Sequence, residues 1–290
     1  MTEAYLIFID NSDPYGIDDA TLEDVQNRIA ATKADRLYLI IESRGGSPFA
    51  AVAIMNLLDS RFGKISAIVP RFANSAATLM SLGTDEIYMC ERSALGPLDL
   101  PKDHPVDGSS ISSMDIKKAV SDMAALGQSI AKNRYDFLRD KKIPRKEAAQ
   151  IAFANANEFL KPILEQVDPY HLQKAQREQR IGYWYAIDLL TNRMMKGNSK
   201  VAQDTADMLV NQFPAHEYCI YPNDAENMLG LTIKKIQDLL VWESELKAKY
   251  MAVRKNKYFV EFGIIKPSAP IPTTTPKKKA VSRNTRGAKR

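Results

Sequence analysis

Alternation of short apolar runs with amphipathic stretches constrains the fold of this 290-residue chain most strongly. In the first hundred residues, the pattern predicts strands at 5–9, 36–42, 64–70 and 86–90. It predicts helices at 18–32, after Gly46 and from Ser75 onward. Strands that alternate with helices in this way indicate βα units around a mostly parallel sheet. We therefore expect an α/β fold for this part of the chain.

The second half of the sequence is predicted to be almost entirely helical. The pattern predicts helices at 114–126, 128–141, 145–154, 171–195, 201–211 and 233–253, with one strand at 217–221. No second break in composition precedes Lys266. We therefore expect one domain over residues 1–265, in which the helical half completes the fold and offers an assembly surface.

The basic charge of the chain is concentrated in its last 25 residues. The formal net charge is +5, but residues 266–290 hold eight Lys or Arg and no acid, so residues 1–265 carry −3. The tail is rich in Pro, Thr and Lys, which predicts disorder. Its clustered cations could contact nucleic acid non-specifically, although the sequence holds no folded motif that reads bases.

Several classes of protein are not expected from the composition. No apolar run approaches the roughly 20 residues of a membrane helix, and the first residues lack the features of a signal peptide. A cytoplasmic location without membrane contact is expected. Cys90 and Cys219 lie far apart without metal-ligand spacing, so reduced core thiols are expected. The residues call for no metal, nucleotide or organic cofactor.

Two predicted strands end in residues that suit hydrolytic chemistry. The strand at 36–42 runs into the glycine pair Gly45 and Gly46, and the strand at 64–70 is soon followed by Ser75 at a helix start. Because the carboxyl ends of parallel strands meet at one edge of a sheet, both features are expected in one crevice. Backbone N–H groups beside a hydroxyl would form an oxyanion hole beside a nucleophile. The alternative is that Ser75 merely caps its helix.

These segments resemble a known superfamily. Residues 41–47, 73–79 and 81–89 are similar to the Clp protease proteolytic subunit and signal peptide peptidase A superfamily. Residues 93–99, 167–171, 213–220 and 229–231 resemble its serine dehydrogenase proteinase family most. The likeness spans roughly residues 35–232 in consistent order. It implies a ClpP/crotonase-like core of βα units, a polypeptide substrate and a homo-oligomer, and it leaves a partner ATPase open.

The resemblance also implies roles for individual residues. Ser75 matches the nucleophile, and Gly46 and Ala76 match the donors of the oxyanion hole, with Gly45 as part of the same substrate-binding segment. Arg44 replaces the proline that usually precedes the glycines, which changes the charge of the cleft.

The proton acceptor is left open. Clp-type relatives use a histidine roughly 25 residues after the serine, and residues 93–99 contain none, although Asp99 could orient a base. Relatives with a Ser-Lys dyad place the lysine about 40 residues after the serine, where Lys117 and Lys118 occur; spacing favours Lys117. His216 is a further candidate, whereas two other histidines fit the role less well, His104 and His171.

Three functions remain to be distinguished. The leading hypothesis is a serine peptidase that hydrolyses peptide bonds through an acyl-enzyme on Ser75. The alternatives are a non-catalytic assembly or binding protein on the same fold, and a crotonase-like acyl-CoA enzyme. A crotonase-like enzyme needs no serine at this position, so Ser75 favours hydrolysis.

Overall fold

A computed structural model describes the chain at residues 2–11, 16–29, 32–98, 101–103, 110–165, 168–215, 217–236 and 244–265. Its strands are β1 (Glu3–Asp10), β2 (Ala34–Ser43), β3 (Phe62–Val69), β4 (Phe72–Ala73), β5 (Glu86–Cys90), β6 (Ala94–Leu95), β7 (Pro101–Asp103), β8 (Ser110–Ser112), β9 (Ile233–Ile236) and β10 (Tyr258–Ile265). Its helices are α1 (Asp19–Ile29), α2 (Pro48–Asp59), α3 (Ala76–Leu82), α4 (Ser113–Asp140), α5 (Arg145–Leu164), α6 (Pro169–Asn192), α7 (Ser199–Asn211), α8 (Pro222–Asn227) and α9 (Ser244–Val253).

The predicted α/β architecture is confirmed. The main sheet of the described chain has the order β10-β1-β2-β3-β5-β9, in which β10 is antiparallel to β1 and the other neighbours are parallel. The short strand β4 continues from the end of β3 and pairs with both β2 and β6. The ends of β2 and β4 therefore lie side by side, with Ser43 opposite Ala73.

Apolar side chains cover both faces of the sheet. One face packs against α1, α2, α3, α6 and α7, and strand residues such as Leu39 and Ile41 point into that cluster. The other face packs against α9, whose Leu246 and Tyr250 cover Ile7 and Ile40. Burial of nearly every β1 residue explains why its sequence is continuously apolar instead of alternating.

The helical half differs from prediction in its boundaries. The two helices expected at 114–126 and 128–141 form one helix, α4, since Gly127 continues the helix and packs against Leu160 of α5. The helix expected at 145–154 extends to Leu164 as α5. Together α4 and α5 form an antiparallel pair, joined by a short turn at Lys142, whose φ is +65°.

In the C-terminal part, two predicted elements were wrong and one strand was missed. Residues 233–236, expected to begin a helix, form the strand β9 because they pair with β5. Of the strand expected at 217–221, only Ile220 makes a bridge, to Leu95. The edge strand β10 was not predicted. The expectation of core thiols was also wrong for Cys219, which is exposed, while Cys90 is half-buried. In the described part of the chain, no helix combines the length and apolarity needed to cross a membrane.

A cluster of polar groups lies at the start of β5, around Glu86. Arg36 donates to the Glu86 carboxylate over 2.7 Å, Ser66 donates over 2.9 Å, and Lys64 lies 2.9 Å away. Burial favours the protonated acid, but the hydrogen bonds from Lys64 and Ser66 and the nearby charges outweigh it, so the pKa of Glu86 lies below its ordinary value. The cluster ties three neighbouring strands together.

We expect E86Q to lower the free energy of unfolding by about 2 kcal/mol at neutral pH, since a charge-assisted network is lost. The stability from this carboxylate is fully present above its unfolded pKa of about 4.3 and is lost as the pH falls through the lower folded pKa. Urea titrations across this range should therefore show a shallower loss of stability in acid for E86Q than for the unmodified protein.

The matched control is E165Q, which removes an exposed acid 3.9 Å from Lys161. We expect it to change stability by less than about 0.5 kcal/mol at any pH. Parallel pH profiles for E86Q and the unmodified protein would contradict this account of the cluster.

Candidate active site

Ser75 occupies a strained turn between β4 and α3. Its φ of 49° and ψ of −114° lie in a region that non-glycine residues rarely adopt, at a cost of about 1–3 kcal/mol. The side chain makes no capping hydrogen bond to α3, and Ser75 is 6% exposed. The interpretation of Ser75 as an ordinary helix cap is therefore wrong. A serine on a sharp strand-to-helix turn has the geometry of a nucleophile elbow.

Hydrogen bonds on both sides hold this turn in place. Asn74 donates its backbone N–H to the Ser43 carbonyl over 3.0 Å, which fixes the turn to the end of β2. Thr78 donates its hydroxyl to the carbonyls of Ala73 and Gly96 and accepts from the Gly96 N–H. Thr78 was missed by the sequence analysis, because a hydroxyl within a short, largely apolar helix has no distinctive pattern.

The glycine pair lies directly beside Ser75, as the sequence predicted for the strand ends. A Cβ on Gly45 would lie 2.8 Å from the Asn74 carbonyl oxygen and 3.0 Å from Ser75 Cβ, at a φ of +114°. A Cβ on Gly46 would lie 2.3 Å from the Ile17 nitrogen, at a φ of +143°. No other residue type fits either position without a shift of the backbone.

The backbone N–H groups of the two glycines have different surroundings. Gly45 donates its N–H to the Ser43 hydroxyl over 3.1 Å, so that donor is occupied. Ile17 bonds to Gly45 and Ser47 on either side of Gly46, and the Gly46 N–H has no backbone partner among the described residues. The N–H of Ala76, the first residue of α3, has no intrahelical acceptor. The backbone of Gly45 lies close to the Ser75 turn, and the N–H groups of Gly46 and Ala76 have no backbone acceptor among the described residues.

The structure describes the side chain of only one candidate base, Lys118. Lys118 is exposed and binds Asp122 one turn along α4, so it does not contact Ser75. Lys117 belongs to α4, but its side chain lies outside the described residues, as do His216, His104 and Asp99. The side chain of His171 is also not among those that the structure describes. Within the described residues, the Ser75 hydroxyl has no hydrogen-bond partner.

A buried carboxylate lies close to the glycine pair. Glu42 is fully buried, accepts from Tyr250 over 2.5 Å and bonds to Arg71 over 3.1 Å. Burial, and then the hydrogen bond to Glu42, raise the pKa of Tyr250, so its hydroxyl stays protonated as a donor. Sequence analysis missed Glu42, since an acid at the end of an apolar strand has no distinctive pattern.

Comparison with known proteins gives a family match over the part of the chain that holds this site. A family model described as a ClpP-like SDH-type serine proteinase matches residues 15–148. An uncharacterised protein of Methanocaldococcus jannaschii is 37% identical over 83 residues, 27% of this chain and 29% of that relative. A second from the same organism is 28% identical over 141 residues, 43% and 48% of the two chains. The chain spans less than half the length of either relative.

Among solved structures, two mutants of a membrane-bound stomatin-specific protease are similar. One, in complex with a substrate peptide, has a TM-score of 0.44 and 13% identity and covers 84% of this chain and 81% of its own. The other has a TM-score of 0.43 and 13% identity, and the match covers 80% of this chain and 79% of that one.

We expect G45A to slow the labelling of Ser75 by a fluorophosphonate about 100-fold, because the added Cβ would displace the turn that aligns the serine with its N–H donors. Mass spectrometry of the labelled peptide measures the rate.

The control is G197A, at a glycine with a φ of +80° and nothing within 4 Å of an added Cβ. It should cost about 1 kcal/mol of stability from its left-handed backbone and leave the labelling rate unchanged. Equal labelling of G45A and the unmodified protein would show that the reactivity of Ser75 does not depend on the close approach of the Gly45 backbone to the Ser75 turn.

Proposed function

We propose that this protein is a serine peptidase that cleaves polypeptides through an acyl-enzyme on Ser75, since a family model described as a ClpP-like SDH-type serine proteinase matches its residues 15–148. The sequence resemblance to this family is confirmed. The strained Ser75 conformation carries the proposal, because it releases the hydroxyl from capping and sets it beside the glycine backbone.

In the proposed reaction, the Ser75 hydroxyl attacks the carbonyl carbon of the scissile peptide. A base takes the proton of Ser75, and the carbonyl oxygen gains the negative charge. The N–H groups of Gly46 and Ala76 would stabilise that oxyanion, which is the largest single contribution in many such sites. The base then gives its proton to the leaving amine, and water hydrolyses the acyl-enzyme in a second step.

We assign the role of base to Lys117. Position 117 on α4 precedes Val120 by three residues and Met123 by six, and both of those side chains are half-buried. Lys118, one position on, is 71% exposed and paired with Asp122. A lysine accepts a proton at neutral pH only where burial or nearby cations lower its pKa. His216 is the second candidate.

Further predictions from the sequence remain proposals. A homo-oligomer is supported by exposed aromatic side chains on the outer helices, Phe153, Phe159, Tyr170 and Trp184. One domain over 1–265 is supported by β10, whose last residue, Ile265, pairs with Glu3 at the start of β1. Non-specific nucleic-acid contact through residues 266–290 stays a prediction from the sequence, since these residues lie outside the described ones. The cytoplasmic location rests on composition.

Replacing the proposed nucleophile tests the function directly. We expect S75A to lose fluorophosphonate labelling and to cleave an unstructured peptide about 10⁴-fold more slowly or worse, since the attacking oxygen is removed. The control S60A removes an exposed hydroxyl that bonds to Leu57 at the end of α2. It should behave like the unmodified protein, whereas full activity in S75A would refute the proposal.

The adjacent lysines provide a matched pair for the base. We expect K117A to reduce the cleavage rate about 10²- to 10⁴-fold, the range for loss of a general base, and K118A to change it less than about twofold because an exposed ion pair contributes little. Circular dichroism should show intact helices in both. If K117A stays active, Lys117 is not the base, and H216A becomes the decisive variant.

A further inference from the structure

A cavity of about 670 Å³ opens at the edge of the sheet where β2 and β4 end. Four segments line it: Asn11 directly after β1, Arg44 after β2, Arg71 with Phe72 where the chain enters β4, and residues 254–257 between α9 and β10. The cavity is distinct in its lining residues from the groups assigned to catalysis, yet it adjoins them, because Arg44 is bonded to Gly45 and Phe72 lies three residues before Ser75.

The lining of this cavity is strongly cationic. Its described residues include five cations and no acid: Arg44, Arg71, Arg254, Lys255 and Lys257. The body of the chain is mildly acidic, so this concentration does not follow from the overall composition. Cations that share one concave surface repel each other and favour an anionic ligand between them.

One internal carboxylate compensates part of this charge. Arg71 bonds to the buried Glu42 over 3.1 Å and lies over the ring of Phe72, 5.2 Å from its centroid. The other oxygen of Glu42 is taken by Tyr250. Among the described residues, none of the other four cations makes an ion pair. Four positive charges at the cavity are therefore available to a ligand.

Asn11 lines the cavity next to the end of β1. The side-chain oxygen of Asn11 is buried, and no donor among the described residues reaches it. The Asn11 backbone is held in place by its bond to the Lys257 carbonyl, over 2.6 Å. The neighbouring site indicates the kind of ligand, because Arg44 lines the cavity and directly precedes Gly45, whose backbone lies against the Ser75 turn. A polypeptide held at Ser75 would pass the cavity, and its Asp or Glu side chains would bring the negative charge.

We propose that this cationic cavity binds acidic side chains of the polypeptide substrate and gives the enzyme a preference for acidic segments near the cleaved bond. The inference rests on the proposed peptidase function, which supplies a polypeptide at Ser75. Arg44 links the two places, since it precedes the glycine pair and lines the cavity. Guanidinium groups bind carboxylates through paired N–H donors, which gives geometric selectivity.

The test measures binding separately from catalysis. The full-length S75A protein is titrated into a fluorescein-labelled peptide rich in Glu, and into the same peptide with every Glu replaced by Gln, with fluorescence anisotropy as the readout. We expect the Glu peptide to bind at least about tenfold more tightly at low salt, and the difference to shrink as salt screens the charges.

The cavity is then altered by R254Q with K257Q, which removes two cations and leaves Arg44 and the turn at Ser75 intact. We expect the Glu peptide to bind about five- to tenfold more weakly, since each charge pair contributes modestly, with no change for the Gln peptide. The control K146Q removes one exposed cation from α5, outside the cavity, and should change neither. The basic tail is present in every variant, so differences between them report the cavity.

Equal binding of the Glu and Gln peptides would overturn the proposal. So would an equal loss in K146Q, which would indicate a general charge effect. A single-stranded oligonucleotide that outcompetes the Glu peptide, and depends on Arg254 and Lys257 in the same way, would reassign the cavity to nucleic acid. Failure of the peptidase function would appear differently, as absent fluorophosphonate labelling of the unmodified protein while the two peptides still differ in binding.

Discussion

Backbone contact at Gly45 and Gly46 is the constraint on which the candidate site depends. Ile17 donates to the Gly45 carbonyl over 2.9 Å and accepts from Ser47 over 2.6 Å, so the entry to α1 is fixed to the loop after β2. On its other side, Gly45 lies against the Ser75 turn, where a Cβ would not fit. Because three loops meet through main-chain atoms, the glycine backbone and the Ser75 turn are positioned by the fold and not by flexible side chains.

The two faces of the sheet give this junction different surroundings. On one face, α2, α3 and α6 form a continuous apolar core that holds the Ser75 turn from behind. On the other, Glu42 and Tyr250 form a buried hydrogen bond beneath Arg71, next to the cationic cavity. A proposed substrate would therefore contact neutral backbone donors at Ser75 and positive charge beside it. Cleavage of the peptide bond and binding of acidic side chains would use different groups.

Local patterns predicted the part of the molecule where strand and helix follow each other closely. The strand ends at Gly45 and before Ser75 were placed correctly, because buried parallel strands have distinctive apolar runs. The segment Ile233–Ile236 was predicted wrongly as part of a helix, because its apolar residues are three positions apart. Pairing with β5 overrides that helical preference. The residues Ser43 and Thr78, which orient the site, have no signature because hydroxyl groups serve many roles.

The sequence by itself determined the α/β core, the position of Ser75 at a helix start and the glycines that allow a close approach. Only the tertiary structure decided that the Ser43 hydroxyl occupies the Gly45 N–H, and that Ser75 is strained and does not cap its helix. It also brought together Asn11, Arg44, Arg71 and Arg254 from distant positions. Periodicity follows from neighbours along the chain, whereas hydrogen-bond partners and cavities depend on residues that meet only after folding.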